Sequence, residues 1–471
     1  MKKFFKIVRS WFSKDEFNCS GGYKNIWKIA YPLILMNASA TIMQVADRIF
    51  LSKHSTLEMS AAPVGGNLYF WLFSFFIVTA NFTGAIISQL HGAGRKKACV
   101  SAAWSALYSA IAVGAIVTVA APVAGTYIID HIYNHSKELA HFEKLYLYTL
   151  TPCGLFQCMC APLFSFFSGR GKTKTVAAVN ISGCTINMLF NYLLIFGKFG
   201  LPELGIIGAG IATSLSMVIN FLTIFTIFLL TDQKEYRTRK FLQFDRNIPV
   251  KLLKFGTLAG LQAFCTFGSF NILLAAIGKL STEALAASNI ALAINCIVFL
   301  PLLGFSETTA IIVGNCIGAR RTNPAKRAAY RVWRLALLYM ALCISVYIVF
   351  PEPLVRMFAP DTAQAGVPFE KILPVAVSVL AVMACFGVFD ATIQPFTGAL
   401  RGAGDTFFMM MICSSCAIAK SLVAIVAVNI GTSVTAIWWI EVGACAVESF
   451  LVVWRFKSGA WRKIKLLSDQ R

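Results

Sequence analysis

Seven ionisable residues stand inside long apolar stretches of this chain: Asp47, Arg48, Glu307, Asp390, Lys420, Glu441 and Glu448. A charge held in hydrocarbon costs at least about 2.5–3.5 kcal/mol, so each needs a partner, a wet cavity or an ion to bind. Asp47 shares a helical face with Gln44 and Ala40, whereas Arg48 points about 100° away and is placed to reach the interface. The alternative is a local ion pair closing the helix end. Asn187 and Asn191 stand i,i+4 on one face, as do Ala209 and Thr213. Together with Asp47 they offer a carboxylate, two amide oxygens, a hydroxyl and a backbone carbonyl. That set suits Na⁺, the one metal ion this pattern admits, or a proton relay. The competing reading has the asparagines tying helices together by hydrogen bonds.

The second half of the chain carries its own polar set. Asp390 and Gln394 are again i,i+4, and Glu307 and Lys420 lie in neighbouring apolar runs. Carboxylates there suit an ion or a cationic substrate, and Lys420 could instead neutralise Asp390 or Glu307 as a structural pair. Glu441 and Glu448, seven apart, share a face that packs or lines a cavity. Three lookalikes carry less. Gly171-Lys172-Thr173 lacks the first glycine and the preceding strand of a phosphate loop. His131 and His135 have metal-like spacing but no catalytic frame, and read as a solvated loop. Cys413 and Cys416 lie in an apolar run and read as packing.

The elements that must position these residues follow from composition. Hydrophobic residues make up 57% of the chain and charged residues 13%, about half the share of a soluble domain. Twelve apolar runs, near 26–50, 63–90, 99–121, 145–168, 175–197, 206–230, 252–278, 285–315, 327–350, 368–398, 406–429 and 433–454, are long enough to cross a bilayer. The fold class is therefore an all-α polytopic membrane protein. The net charge of +21 is a topology signal: about 33 Lys and Arg fall on the side of the N-terminus and about 7 opposite. Both termini are expected to be cytoplasmic, in a plasma (inner) membrane, with anionic lipid rather than nucleic acid facing the basic clusters. Residues 1–25 hold a basic amphipathic segment with Phe4, Phe5, Val8, Trp11 and Phe12 on one face, and no signal-peptide core.

The two halves repeat. Glu58 and Glu283 fall in register, Gly92-Ala93 recurs as Gly318-Ala319, and Ser168-Gly-Arg-Gly-Lys-Thr173 matches Arg401-Gly-Ala-Gly-Asp-Thr406. This predicts two pseudo-symmetric six-helix lobes, 26–230 and 252–455, joined by a cytoplasmic linker at 231–251 and followed by a basic tail at 456–471. Parallel repeats of this kind bracket a central cavity and belong to transporters.

With Pro32, Asp47 and Gly92-Ala-Gly94, three motifs carry a resemblance: Asn187-x3-Asn191-Tyr-Leu-Leu-Ile-Phe-Gly197, Gly205-Ile-Ile-Gly-Ala-Gly-Ile-Ala-Thr213 and Leu400-Arg-Gly-Ala-Gly-Asp-Thr406. In their order and spacing over residues 25–455 the chain resembles the multidrug and toxic compound extrusion family. The resemblance implies a secondary antiporter, not an enzyme and without a cofactor, in which rocking lobes export small organic cations or drugs against inward H⁺ or Na⁺. It implies ion coupling at Asp47, with Asn187, Asn191 and Thr213 beside it, and a second-lobe or substrate role for Asp390. Asn191 stands where the family's Na⁺ pattern has Asp, and Glu307 where a small residue is expected. A single buried carboxylate favours H⁺. A lipid-linked saccharide flippase of the same superfamily is the alternative, which the mainly acidic interior disfavours. A monomer suffices for either.

Overall fold

The computed structural model describes residues 22–133, 136–231, 233–239, 244–358, 369–464 and 466–467. Among them twelve helices are long and apolar enough to span a bilayer. They are α1 (Tyr23–His54), α2 (Leu57–Gly92), α3 (Lys96–His131), α4 (Lys137–Gly169), α5 (Thr173–Ile195) and α6 (Gly205–Leu230). The second six are α7 (Asn247–Leu280), α8 (Thr282–Gly318), α9 (Thr322–Val349), α10 (Phe369–Ala403), α11 (Thr406–Asn429) and α12 (Val434–Ser458). The amphipathic face expected within residues 1–17 lies outside the described residues.

Several helices run beyond their apolar stretches, and capping explains why. Ser55, Ser136, Ser281 and Ser433 precede α2, α4, α8 and α12, and each hydroxyl accepts from a first-turn amide. The Ser136 cap starts α4 at Lys137, eight residues ahead of the apolar run, and so draws Glu143 into the helix as a fully buried residue.

One turn appears at four matched places in the two halves, and once more at the end of α11, where Thr432 N donates to Ala427 O after Gly431. The amides of Arg95, Lys172, Arg321 and Asp405 donate to the carbonyls of Leu90, Phe167, Cys316 and Leu400, five residues back. The residues just before them, Gly94, Gly171, Arg320 and Gly404, all have positive φ. This is a left-handed helix cap that satisfies carbonyls otherwise orphaned at the helix end. It closes α2 and α4 in one half and α8 and α10 in the other, so the sequence repeat is also a repeat of backbone geometry.

The chain packs as two compact units. Among the described residues, an N-terminal unit comprises Leu35–Phe264 with Leu466 and Leu467, and a C-terminal unit comprises those up to Ile34 together with Cys265–Ile464. The division falls inside α1 and α7, whereas composition points to the 231–251 connector. Both helices continue across it, with Pro32 two residues ahead of the boundary in α1, so the apolar runs carry no mark of it. The described part of the connector packs on the N-terminal unit: Trp104 Nε1 donates to Thr238 O at 3.0 Å, and Arg170 stacks 3.8 Å over the Tyr236 ring. In the C-terminal unit α8 and α10 cross closely. A Cβ on Gly398 would fall 2.0 Å from Ser306 O and one on Gly402 2.3 Å from Ala310 O, so only glycine fits this i,i+4 seam. Part of the 456–471 tail belongs to this unit, where Trp461 is buried and stacks on Phe456.

Candidate functional site

In the N-terminal unit the four residues singled out by spacing come together. Asn191, from α5, donates through Nδ2 to Asp47 Oδ1 of α1 at 2.5 Å and to Asn187 Oδ1 at 3.0 Å. Asn187 in turn donates through Nδ2 to Thr213 Oγ1 at 3.2 Å and to Ser216 Oγ at 3.4 Å, both on α6. Thr213 is anchored by donating back to Ala209 O at 3.0 Å. Both asparagines are fully buried, and Asp47 is half-buried. The helical i,i+4 rise stacks the amides one turn apart, which is why a continuous polar run forms between three helices.

The run leaves one acceptor unused: Asn191 Oδ1 is buried with no hydrogen-bond partner. An amide oxygen left bare in a low-dielectric interior costs about 1–3 kcal/mol unless a proton donor or cation reaches it. Arg48 is exposed while Asp47 turns inward, so the neighbours occupy different faces as their 100° offset requires. Ser216 is a member that spacing alone could have found, since it lies one turn beyond Thr213 on the same face.

The C-terminal unit gathers a different set. Gln394 Nε2 donates to Asp390 Oδ1 at 3.1 Å within α10. Lys420 Nζ of α11 pairs with Glu441 Oε1 of α12 at 2.5 Å, with side-chain exposures of 14% and 7%. The expectation that Lys420 neutralises Asp390 or Glu307 is thus corrected: its direct partner is Glu441, which faces it across the α11–α12 contact. Asp390 and Glu448 interact with Lys420 at longer electrostatic range. Glu307 interacts instead with Arg401. Asp405 of the Leu-Arg-Gly-Ala-Gly-Asp-Thr motif takes a bidentate grip from Arg455, at 2.8 and 3.2 Å.

A third cluster went unnoticed in the sequence. His54 Nδ1 lies 2.8 Å from Glu58 Oε2, His54 Nε2 lies 3.2 Å from Glu203 Oε1, and Glu58 Oε2 accepts from Ile206 N at 3.0 Å. The carboxylate therefore caps α6 from another helix, which no local pattern announces. Around His131, Nδ1 donates to Tyr127 O and Asp130 pairs with Lys144, and no cluster of three metal-ligating side chains exists among the described residues. His135 lies outside them. Cys413 and Cys416 are both free thiols.

Twelve apolar helices in two halves that repeat the same turn, each with polar groups held among its helices, define a multi-pass membrane transporter. The MatE family model matches residues 32–193 and again 259–426, one stretch in each half. The chain belongs to the MatE family, whose members are transporters and not enzymes. It is 28% identical to the probable multidrug resistance protein NorM of Thermotoga maritima over 455 residues, covering 95% of each chain. A Pseudomonas aeruginosa protein described the same way is 25% identical, covering 94% of this chain and 90% of that one. Among solved structures, an outward-facing multidrug resistance MATE transporter superposes with a TM-score of 0.83 at 18% identity, covering 96% of this chain and 99% of that one. A MOP superfamily transporter from Pyrococcus furiosus gives 0.85 at 17% identity over the same shares. These structural likenesses speak for the fold.

Proposed function

We propose that the chain is a secondary antiporter of the inner membrane that exports amphipathic organic cations, drugs among them, in exchange for an inward cation held at Asp47. The single observation that carries this reading is the hydrogen-bonded run from Asp47 through Asn191 and Asn187 to Thr213 and Ser216, in which the buried Oδ1 of Asn191, the residue bonded to Asp47, has no partner. Such a site is incomplete until a proton or cation enters it. Loading it changes the charge between α1, α5 and α6, and the ion drives the cycle only as far as it favours one conformation over the other. Each tenfold preference is worth about 1.4 kcal/mol of bias.

The donor arrangement favours H⁺ over Na⁺. Both protons of Asn191 Nδ2 are committed to Asp47 and Asn187, so an N–H occupies a place beside the carboxylate where Na⁺ would need an oxygen. The names of the relatives support drugs as substrates. The charge distribution supports termini on the cytoplasmic side. A flippase of anionic pyrophosphate lipids would want unspent cations in the interior, yet Lys420 is committed to Glu441.

The test is transport by the reconstituted chain with pH and Na⁺ gradients imposed separately on a fluorescent organic cation. Movement is expected under the pH gradient alone. Movement under the Na⁺ gradient alone would reassign the ion, and movement under neither would overturn the exporter reading.

A further inference from the structure

The two halves can be compared position by position. Thr173 opens α5 and Thr406 opens α11, and Lys420 lies as far beyond Thr406 as Asn187 lies beyond Thr173. In the N-terminal unit Asn187 donates to Thr213 on the following helix, 26 residues on. In the C-terminal unit Lys420 donates to Glu441 on its following helix, 21 residues on. The connectors account for the difference: 196–204 joins α5 to α6, while the shorter 430–433 joins α11 to α12. Lys420 therefore stands at the repeat position of Asn187, and Glu441, seven residues beyond Val434 where Thr213 is eight beyond Gly205, falls within one residue of the position of Thr213.

We infer that the Lys420 ammonium is a resident cation, fixed at the repeat position of Asn187, a member of the polar run in which the other half takes an exchangeable one at Asp47. The comparison draws its meaning from the reading of the Asp47 cluster as an ion site. Glu441 needs a positive charge at all times, because its side chain is almost wholly buried and its second oxygen has no hydrogen-bond partner. Lys420 supplies that charge through a covalent tether, so no proton or Na⁺ is taken up or released at Glu441 during a cycle. The groups facing the pair are Asp390 from α10 and Glu448 and Cys445 from α12. The part of α7 that meets α11 presents the neutral hydroxyl of Ser269, bonded to Ser421 and Ala417. Removing the ammonium leaves Glu441 uncompensated and turns it into a site for a monovalent cation.

The experiment uses the full chain in detergent, in an Asp47→Asn background so that the first site contributes nothing. Two probes separate the possible cations: infrared absorbance of protonated carboxyl groups for H⁺, and binding of radioactive Na⁺. The background protein and its Lys420→Arg derivative are expected to show no signal that Glu441→Gln removes. Lys420→Gln is expected to gain one equivalent per chain, as protonated carboxyl or as bound Na⁺, and to lose it again in Lys420→Gln/Glu441→Gln. No gain in a folded Lys420→Gln protein would overturn the inference. So would a proton or Na⁺ already on Glu441 in the background protein, a comparison that stands even where Lys420→Gln does not fold. Failure of the coupling reading shows elsewhere, as ion-driven efflux by the Asp47→Asn chain itself.

Discussion

Asp47 and Lys420 show two ways of keeping a charge inside a helical bundle. Asp47 is held by the amide of Asn191, which solvates the carboxylate without neutralising it. Lys420 is neutralised outright by Glu441. The difference is measurable in stability. Truncating Lys420 to Ala should lower stability by about 3–5 kcal/mol by stranding Glu441, while Lys420→Met/Glu441→Leu, which removes both charges, should stay close to the parent. Thermal unfolding in detergent reads both, and equal loss in single and double variants would contradict an ion pair. The pairs Asn187/Asn191 and Ala209/Thr213 of the Asp47 cluster were legible from i,i+4 spacing, because spacing fixes which side chains share a face, while the family resemblance is what set Asp47 beside them. The partner of Lys420 was not, since spacing within one helix says nothing about which neighbouring helix supplies the opposite charge.

At the scale of elements, caps rather than apolar content set where helices begin and end. Glu58 holds the first turn of α6 by accepting from Ile206 N, and His54 bridges it to Glu203. Glu58→Ala should therefore cost about 0.5–2 kcal/mol, the usual range for a lost N-cap, with enhanced amide exchange localised to the start of α6. Exchange unchanged there would remove Glu58 from that role. Gly94 offers a cleaner case, because a Cβ added to it meets nothing within 4 Å. Gly94→Ala should destabilise by about 1–2 kcal/mol through its positive φ alone, and a neutral melting shift would contradict that origin. Twelve spans were visible as apolar runs, but their ends were not. The Ser136 cap and the buried Glu143 show why: hydropathy stops at the first charged residues, whereas the helix stops only where its backbone groups find other partners.

For the whole molecule, the repeat is the feature that organises everything else. It was visible as matched glycine and acidic positions, it reappears as four left-handed turns, and the MatE model matches once in each half. Chemistry has diverged within that frame, with neutral amides and hydroxyls around one carboxylate in one unit and an ion pair among surplus carboxylates in the other. An exporter with a single loadable cluster of this kind should lose its drive when that cluster loses its charge, without losing its fold. The most direct measurement is efflux of an organic cation from vesicles carrying the Asp47→Asn chain under an imposed pH gradient. Wild-type protein should move the compound, and the variant, inserted and folded to the same extent, should not. Efflux by the variant at the wild-type rate would place the coupling site elsewhere and contradict the account.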